Sequence, residues 1–247
     1  MIYRASNTKD QRNDLFQYLG RKKYKRILDI GGADNPWAAH YATAYFDMQD
    51  PHNYLKYFPN NVLKKDLEDV DVFLGDINDP DTWAELFDDV NRNGKFDFCI
   101  CSHILEDIRD PVYVIKQMPK VAKGGYIGMP SVHWEMGQDT ELLDYVKENK
   151  NLEDWGLSGT FRGFHHHRWI FTLKRKKGKF VLWAFPKLSF LEVMKGFEWI
   201  RGRNAWHELT FWWKNEIAFQ VYNDDYVGPV GAFICRDYRK QLTCEDL

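Results

Sequence analysis

Arg26-Ile27-Leu28-Asp29-Ile30-Gly31-Gly32-Ala33-Asp34-Asn35-Pro36 is the stretch on which the reading of this chain turns. A short apolar run after a basic cluster reads as a buried parallel strand. The acidic residue and two glycines that close it read as a turn letting backbone approach a ligand. Ligands of open α/β sheets sit beyond the carboxyl ends of the strands, so a nucleotide-type cofactor is the first expectation. A pair of glycines is by itself as readily structural, and the case rests on what surrounds it.

Upstream, Ser6 to Gly20 intersperses charges with Leu15, Phe16, Tyr18 and Leu19, which predicts a short amphipathic helix over the sheet edge or the cofactor. Downstream, Ala42 to Met48 reads as the second strand and ends with Asp47, close to the ~20-residue offset at which a nucleotide fold places a ribose-binding carboxylate. The gap before it is short and holds Pro36, so the usual crossover helix is expected to be truncated or replaced by a loop. Val70 to Leu74 is a further strand, followed by Gly75-Asp76-Ile77-Asn78-Asp79-Pro80 and a helix over 81–91. Phe96 to Cys101 reads as a central strand running into Ser102-His103-Ile104-Leu105-Glu106-Asp107. Asp110-Pro111 opens a helix through Ala122, Gly124-Gly125 closes it, and Tyr126 to Met129 is the next strand. This alternation predicts a Rossmann-like, mostly parallel α/β sheet flanked by helices.

Beyond residue 150 the pattern changes. Trp169 to Lys174 and Lys179 to Phe185 flank a basic tip like a β-hairpin, and Glu208 to Trp213 with Ile217 to Tyr222 suggests another around Lys214-Asn215. The expected organisation is a cofactor-binding core with its N-terminal helix over 1–150 and an aromatic-rich β-hairpin cap for the acceptor over 151–247, packed as one unit. The 34 basic and 36 acidic residues leave a net charge of −2, so no global field recruits nucleic acid. Cys99 and Cys101 fall in a buried strand and suit reduced thiols in a cytoplasmic protein, and no secretory leader is expected. No apolar run reaches the ~18 residues of a membrane span. Nothing in the pattern specifies an oligomeric state.

Residues 24–131 resemble the class I S-adenosylmethionine-dependent methyltransferases, and the chain is similar to uncharacterised bacterial methyltransferase-domain proteins. Leu28-Asp29-Ile30-Gly31-Gly32-Ala33 resembles the family's first motif. The likeness implies that Asp29, Gly31 and Gly32 serve the methionine and ribose parts of S-adenosylmethionine. It further implies that Asp47 binds the ribose hydroxyls, and that Asp76, beside Ile77, takes the adenine amine. Ser102-His103 with Glu106-Asp107 is similar to the family's signature after its fourth strand, and places Ser102 among the cofactor contacts. Asp29 could equally hold the loop, and each aspartate taken singly could be a helix cap or turn residue.

Methyl transfer from a sulfonium to a hydroxyl needs alignment and a proton acceptor. His103, just past the central strand, is the candidate base, with pocket shaping as its alternative role; Glu106 and Asp107 could orient it. Within Arg162-Gly163-Phe164-His165-His166-His167-Arg168-Trp169, a strand would put His165 and His167 on one side. Two imidazoles are a poor zinc set, so no metal is expected. His165, His167, Arg168 and Trp169 are instead candidates for binding a sugar or another small hydroxylated acceptor, with His133 and Glu135 secondary. The sequence thus points to an O-methyltransferase acting on a small-molecule or glycan acceptor rather than nucleic acid. A non-catalytic nucleotide-fold binding module and a metal-dependent hydrolase built on His165 to His167 are the alternatives. An NAD enzyme is disfavoured because the turn lacks G-x-G-x-x-G.

Overall fold

A computed structural model describes residues 5–6, 8–54, 66–131, 135, 164, 166–177, 179–187 and 208–221. The elements run β1 (Ala5–Ser6), α1 (Thr8–Lys22), β2 (Ile27–Ile30), β3 (Ala44–Asp47), β4 (Asp71–Leu74), α2 (Ala84–Asn93), β5 (Phe98–Ser102), α3 (Pro111–Val121), β6 (Gly124–Pro130), β7 (Trp169–Lys176), β8 (Lys179–Pro186), β9 (Glu208–Lys214) and β10 (Phe219–Val221). Contacts divide the chain into two units, one gathering Lys9–Met129 and Thr210–Ile217, the other Ala5–Thr8, Pro130–Leu209 and the residues from Ala218 on. The expected break near residue 150 lies outside the described residues.

In the first unit the strand order is β9-β6-β5-β2-β3-β4, and the pairs β2–β3, β2–β5, β3–β4 and β5–β6 are parallel. The order reverses between β2 and β5, which is where a doubly wound sheet opens a crevice at the strands' carboxyl ends. Because side chains alternate along a strand, the registers assign each residue a face. Asp29 lies between Tyr45 of β3 and Ile100 of β5, on the face shared by Ile27, Phe98 and Tyr126. Leu15 and Leu19 of α1 pack into that cluster, so the helix covers the sheet face. On the opposite face, Phe46 meets the buried Trp83 edge-on at 4.8 Å, and Trp83 in turn meets Tyr113 of α3. Asp110 caps α3 by accepting the Tyr113 N–H at 2.9 Å, with Pro111 in the first turn.

Residues 31–43, between β2 and β3, contain turns and no helix, as Pro36 and the short spacing predict. Gly124-Gly125 does not close α3 but opens β6. A Cβ on Gly125 would lie 2.5 Å from the Cys99 carbonyl oxygen and 2.7 Å from Trp213 Nε1, so glycine lets β6 fit between β5 and β9.

In the second unit β7 and β8 form the expected antiparallel hairpin, from Trp169 opposite Pro186 to Lys176 opposite Lys179. The second expected hairpin does not form. The chain does reverse at Asn215, which has φ +64°, but β10 pairs in parallel with β8, while β9 lies beside β6. The first four residues of β9 are all buried, as suits a strand inside a sheet rather than a half-exposed hairpin arm. Its first two residues pair antiparallel with β1, Leu209 opposite Ala5 and Glu208 opposite Ser6.

Candidate active site

Four strand ends of the first unit converge at the crevice. Gly31 leaves β2 with φ +74°, and its N–H donates to the Phe46 carbonyl of β3 at 3.0 Å. A Cβ there would lie 2.2 Å from Ile104 Cγ1, so the glycine lets the segment after β5 press against the turn. A Cβ on Gly32 would sit within 2.6 Å of the Asp29 carboxylate, so this bare backbone lies directly over that group. Asp29 is buried, and its Oδ2 has no hydrogen-bond partner among the described residues. Burial, with Asp47 and Asp34 adding repulsion, pushes its carboxyl up to about 8.

Asp47, at the end of β3, accepts the Ala33 N–H at 3.0 Å and the Gln49 N–H at 3.2 Å, tying the glycine turn to the next strand. Burial still holds its carboxyl above the usual range, against those two donors. The apolar Met48 follows at 70% exposure, and Leu74, level with Asp47 in the register, is 57% exposed. Sequence reasoning passed over this pair; the available signal was an apolar residue placed directly after a strand-end carboxylate. Asp76 accepts from the Asn78 N–H at 2.8 Å and the Asn78 side-chain amide at 3.0 Å, which hold its carboxyl low. The buried Ile77 accepts the Trp83 indole N–H at 3.0 Å on its carbonyl, fixing the loop after β4.

After β5 come Ser102, partly exposed at the strand's end, and His103, whose φ of +56° is uncommon for a residue with a Cβ. The His103 N–H donates to the Gly128 carbonyl at 2.8 Å, holding that conformation across the β5–β6 seam. His103 Nδ1 lies 3.2 Å from Oε1 of the buried Glu106, an ion-pair contact whose alignment falls short of a hydrogen bond. The thiols of Cys99 and Cys101 beneath are pushed well up by burial and behave as core groups.

The structure thus places Asp29, Gly31, Gly32, Asp47, Asp76, Ile77, Ser102 and His103 in or just after β2, β3, β4 and β5 of the first unit's sheet. The acceptor candidates belong to the second. His133 and His165 lie outside the described residues. His166 sits in a turn and β7 begins only at Trp169, so the histidine tract precedes the strand and strand alternation does not apply to it. His167 is buried, with Nδ1 bonded to Glu135 Oε1 at 2.6 Å. Lys187 donates to the other oxygen of Glu135 at 2.6 Å and to the Phe164 carbonyl at 2.5 Å. Burial would raise the Glu135 carboxyl, but His167 and Lys187 outweigh it and the net shift is downward. Lys187 had no signal in local sequence. Arg168 is exposed and Trp169 half-buried.

The sequence profile described as a methyltransferase domain matches residues 3–175. The chain belongs to the methyltransferase-domain family. Among solved structures, the N-terminal domain of EvdMO1 with SAH bound is similar at a TM-score of 0.35 and 14% identity, over 68% of this chain and 58% of that one. The methyltransferase domain of bacterial CtHen1-C is similar at 0.45 and 8% identity, over 86% and 100%. Coclaurine N-methyltransferase bound to N-methylheliamine and SAH is similar at 0.35 and 13% identity, over 54% and 40%. No curated protein matches the chain. S-adenosylmethionine is the cofactor that goes with the family, and the crevice fits it. Among the described residues the buried Asp29 Oδ2 has no hydrogen-bond partner, which suits a cationic group, and the absence of side chains at Gly31 and Gly32 lets Ile104 and the Asp29 carboxylate lie directly against the turn.

Proposed function

We propose that this methyltransferase-domain chain transfers a methyl group to a hydroxyl of a small, sugar-like acceptor, with His103 as the proton acceptor. The observation that carries the reading is the meeting, at the sheet's reversal point, of the glycine turn over Asp29 with the constrained His103 segment: Gly31 touches Ile104 directly. When bound, S-adenosylmethionine supplies a methyl group on a positively charged sulfur. Asp29, Gly31 and Gly32 would hold its methionine end, Asp47 its ribose hydroxyls, and Asp76 its adenine amine beside the exposed apolar Met48 and Leu74. Ser102 lies at the carboxyl end of β5, between those contacts and His103. A carboxylate accepts from two hydroxyls, and a third carboxylate spaced two strands away accepts from an amine, so the three acidic groups divide the donor between them. His103 then receives the acceptor's proton as the oxygen is methylated, a role worth roughly 10²–10⁴ in rate.

The near-balanced charge of the chain supports a neutral hydroxylated acceptor over nucleic acid. No helix among the described residues is long and apolar enough to cross a membrane.

The test is calorimetric titration of the full chain, in chelator, with S-adenosylmethionine and separately with NAD. Micromolar binding of the sulfonium alone, about 8 kcal/mol, weakened by Asp47→Ala and by Asp76→Ala, is expected. Absence of binding by folded, cofactor-free protein would sink the reading. A screen of sugars and other hydroxylated acceptors follows, in which His103→Ala lowers turnover while donor affinity holds.

A further inference from the structure

His103 is held from three directions. Its backbone occupies the left-handed region at φ +56°, a conformation that is unfavourable for a non-glycine residue and persists only where surroundings impose it. Its N–H is committed to the Gly128 carbonyl, and the residue after it is wedged into the glycine turn. A tight turn then brings the chain back, with the N–H groups of Asp107 and Ile108 donating to the Ile104 carbonyl at 3.0 and 3.2 Å. That turn delivers the Glu106 carboxylate to His103 Nδ1 at 3.2 Å.

Glu106 is 1% exposed, and neither of its oxygens accepts a hydrogen bond among the described residues. Burying a carboxylate is unfavourable unless a cation or donor faces it, and a purely structural role at such a position is served as well by an apolar side chain. Among the described residues, the group that faces it is the His103 imidazole. An ionised carboxylate has only acceptor sites, so the proton of a neutral imidazole beside it resides on the nearer nitrogen. Hydrogen bonds of this kind are often poorly aligned before substrate binds and tighten afterwards.

We infer that Glu106 is a positioning residue that sets the tautomer of His103, keeping the proton on Nδ1 and the ring's lone pair on Nε2. The inference rests on the proposed role of His103 as proton acceptor. In the transfer, the acceptor's O–H bond breaks as its oxygen takes the methyl group, and the proton forms a bond to Nε2 using that nitrogen's lone pair. The ring becomes an imidazolium whose charge the Glu106 carboxylate faces, while the positive charge on the donor sulfur is discharged. Atoms and charge balance: one cation is consumed and one formed.

The test is nitrogen NMR of ring-labelled histidine in the full chain, with the His103 signals assigned by their loss in His103→Asn. At a pH where the ring is neutral, wild-type His103 is expected to carry its proton on Nδ1. In Glu106→Met, which keeps side-chain length but offers no carboxylate, the population is expected to shift toward the proton on Nε2. A wild-type ring protonated on Nε2 overturns the inference without any variant, and so does a tautomer unchanged in folded Glu106→Met. Donor titration on the same samples separates the two ideas: lost donor binding with the expected tautomer condemns the methyl-transfer reading, and retained binding with the wrong tautomer condemns the role of Glu106.

Discussion

Asp29 in the first unit and Glu135 in the second are both carboxylates removed from water, yet their surroundings are opposite. Glu135 is satisfied on both oxygens, by His167 and Lys187, and its carboxyl is held low despite burial. Asp29 has an oxygen with no hydrogen-bond partner among the described residues and two acidic neighbours, and its carboxyl is raised to about 8. A buried charge whose needs are met internally is part of the architecture. One whose needs are unmet is a deficit that an incoming cation can fill. The difference sets an internally satisfied cluster apart from the carboxylate that the proposed donor site draws on, without reference to which residue types look catalytic.

The largest effect that could break this contrast lies on the structural side. Glu135→Ala strands Lys187 and His167 in a buried setting and is expected to lower folding stability by about 3–5 kcal/mol, read from denaturant unfolding. A loss below about 1 kcal/mol would show that the cluster is not a structural keystone. Next, Asp47→Ala removes an acceptor that ties Ala33 and Gln49 to the crevice. It is expected to weaken S-adenosylmethionine by about 2–3 kcal/mol in calorimetry. Asp29→Asn should act in opposite directions on the two properties, weakening the donor yet stabilising the free protein by about 1–2 kcal/mol at pH 7.

The sign of that last effect follows from linkage. The Asp29 carboxyl titrates near about 3.9 in the unfolded chain and about 8 in the folded one. Between those values the folded state holds a proton that the unfolded state has released. Wild-type stability therefore falls as pH rises from about 4 to about 8, a fall that Asp29→Asn should abolish. The smallest effect sharpens the same point. A cationic donor favours ionised Asp29, so its affinity should rise with pH, roughly fivefold or about 1 kcal/mol between pH 7 and pH 8, with proton release on binding. Asp47, also held up by burial, adds in the same direction. Affinity independent of pH in that window would remove Asp29 from the site.

What could be read in the chain beforehand was what neighbouring residues decide together. The run Ile27 to Ile30 and its glycine turn, the helix start at Asp110-Pro111, and the helix-free passage around Pro36 are local matters, and each stands in the structure. The misreadings came from partners distant in sequence. Gly124-Gly125 resembles a helix stop, but its glycines answer to Cys99 and Trp213. The reversal at Asn215 is real, but which strand pairs with which is decided by β6 and β8, and no two-residue turn encodes that. Within the site, the strand-end aspartates were visible from their order. The burial of Glu106 was not, because it depends on packing contributed from elsewhere in the fold. Likewise the bond between His167 and Glu135, 32 residues away, could not be read from the histidine tract itself.

The passage from β2 to β3 lacks a crossover helix, and α1 supplies the packing that such a helix would give. Phe16 meets Trp37 at 5.7 Å and Tyr41 at 5.4 Å between ring centres, and the Arg12 guanidinium lies 4.6 Å from the Trp37 ring centre. These contacts join segments close together along the chain, so little entropy is lost in closing the loops between them, and they can form soon after the first strands appear. The packing of α1 on the β2–β3 passage can accordingly form early in folding. The placement of β9 beside β6 waits for residues 208–214, the last part of that sheet to leave the ribosome.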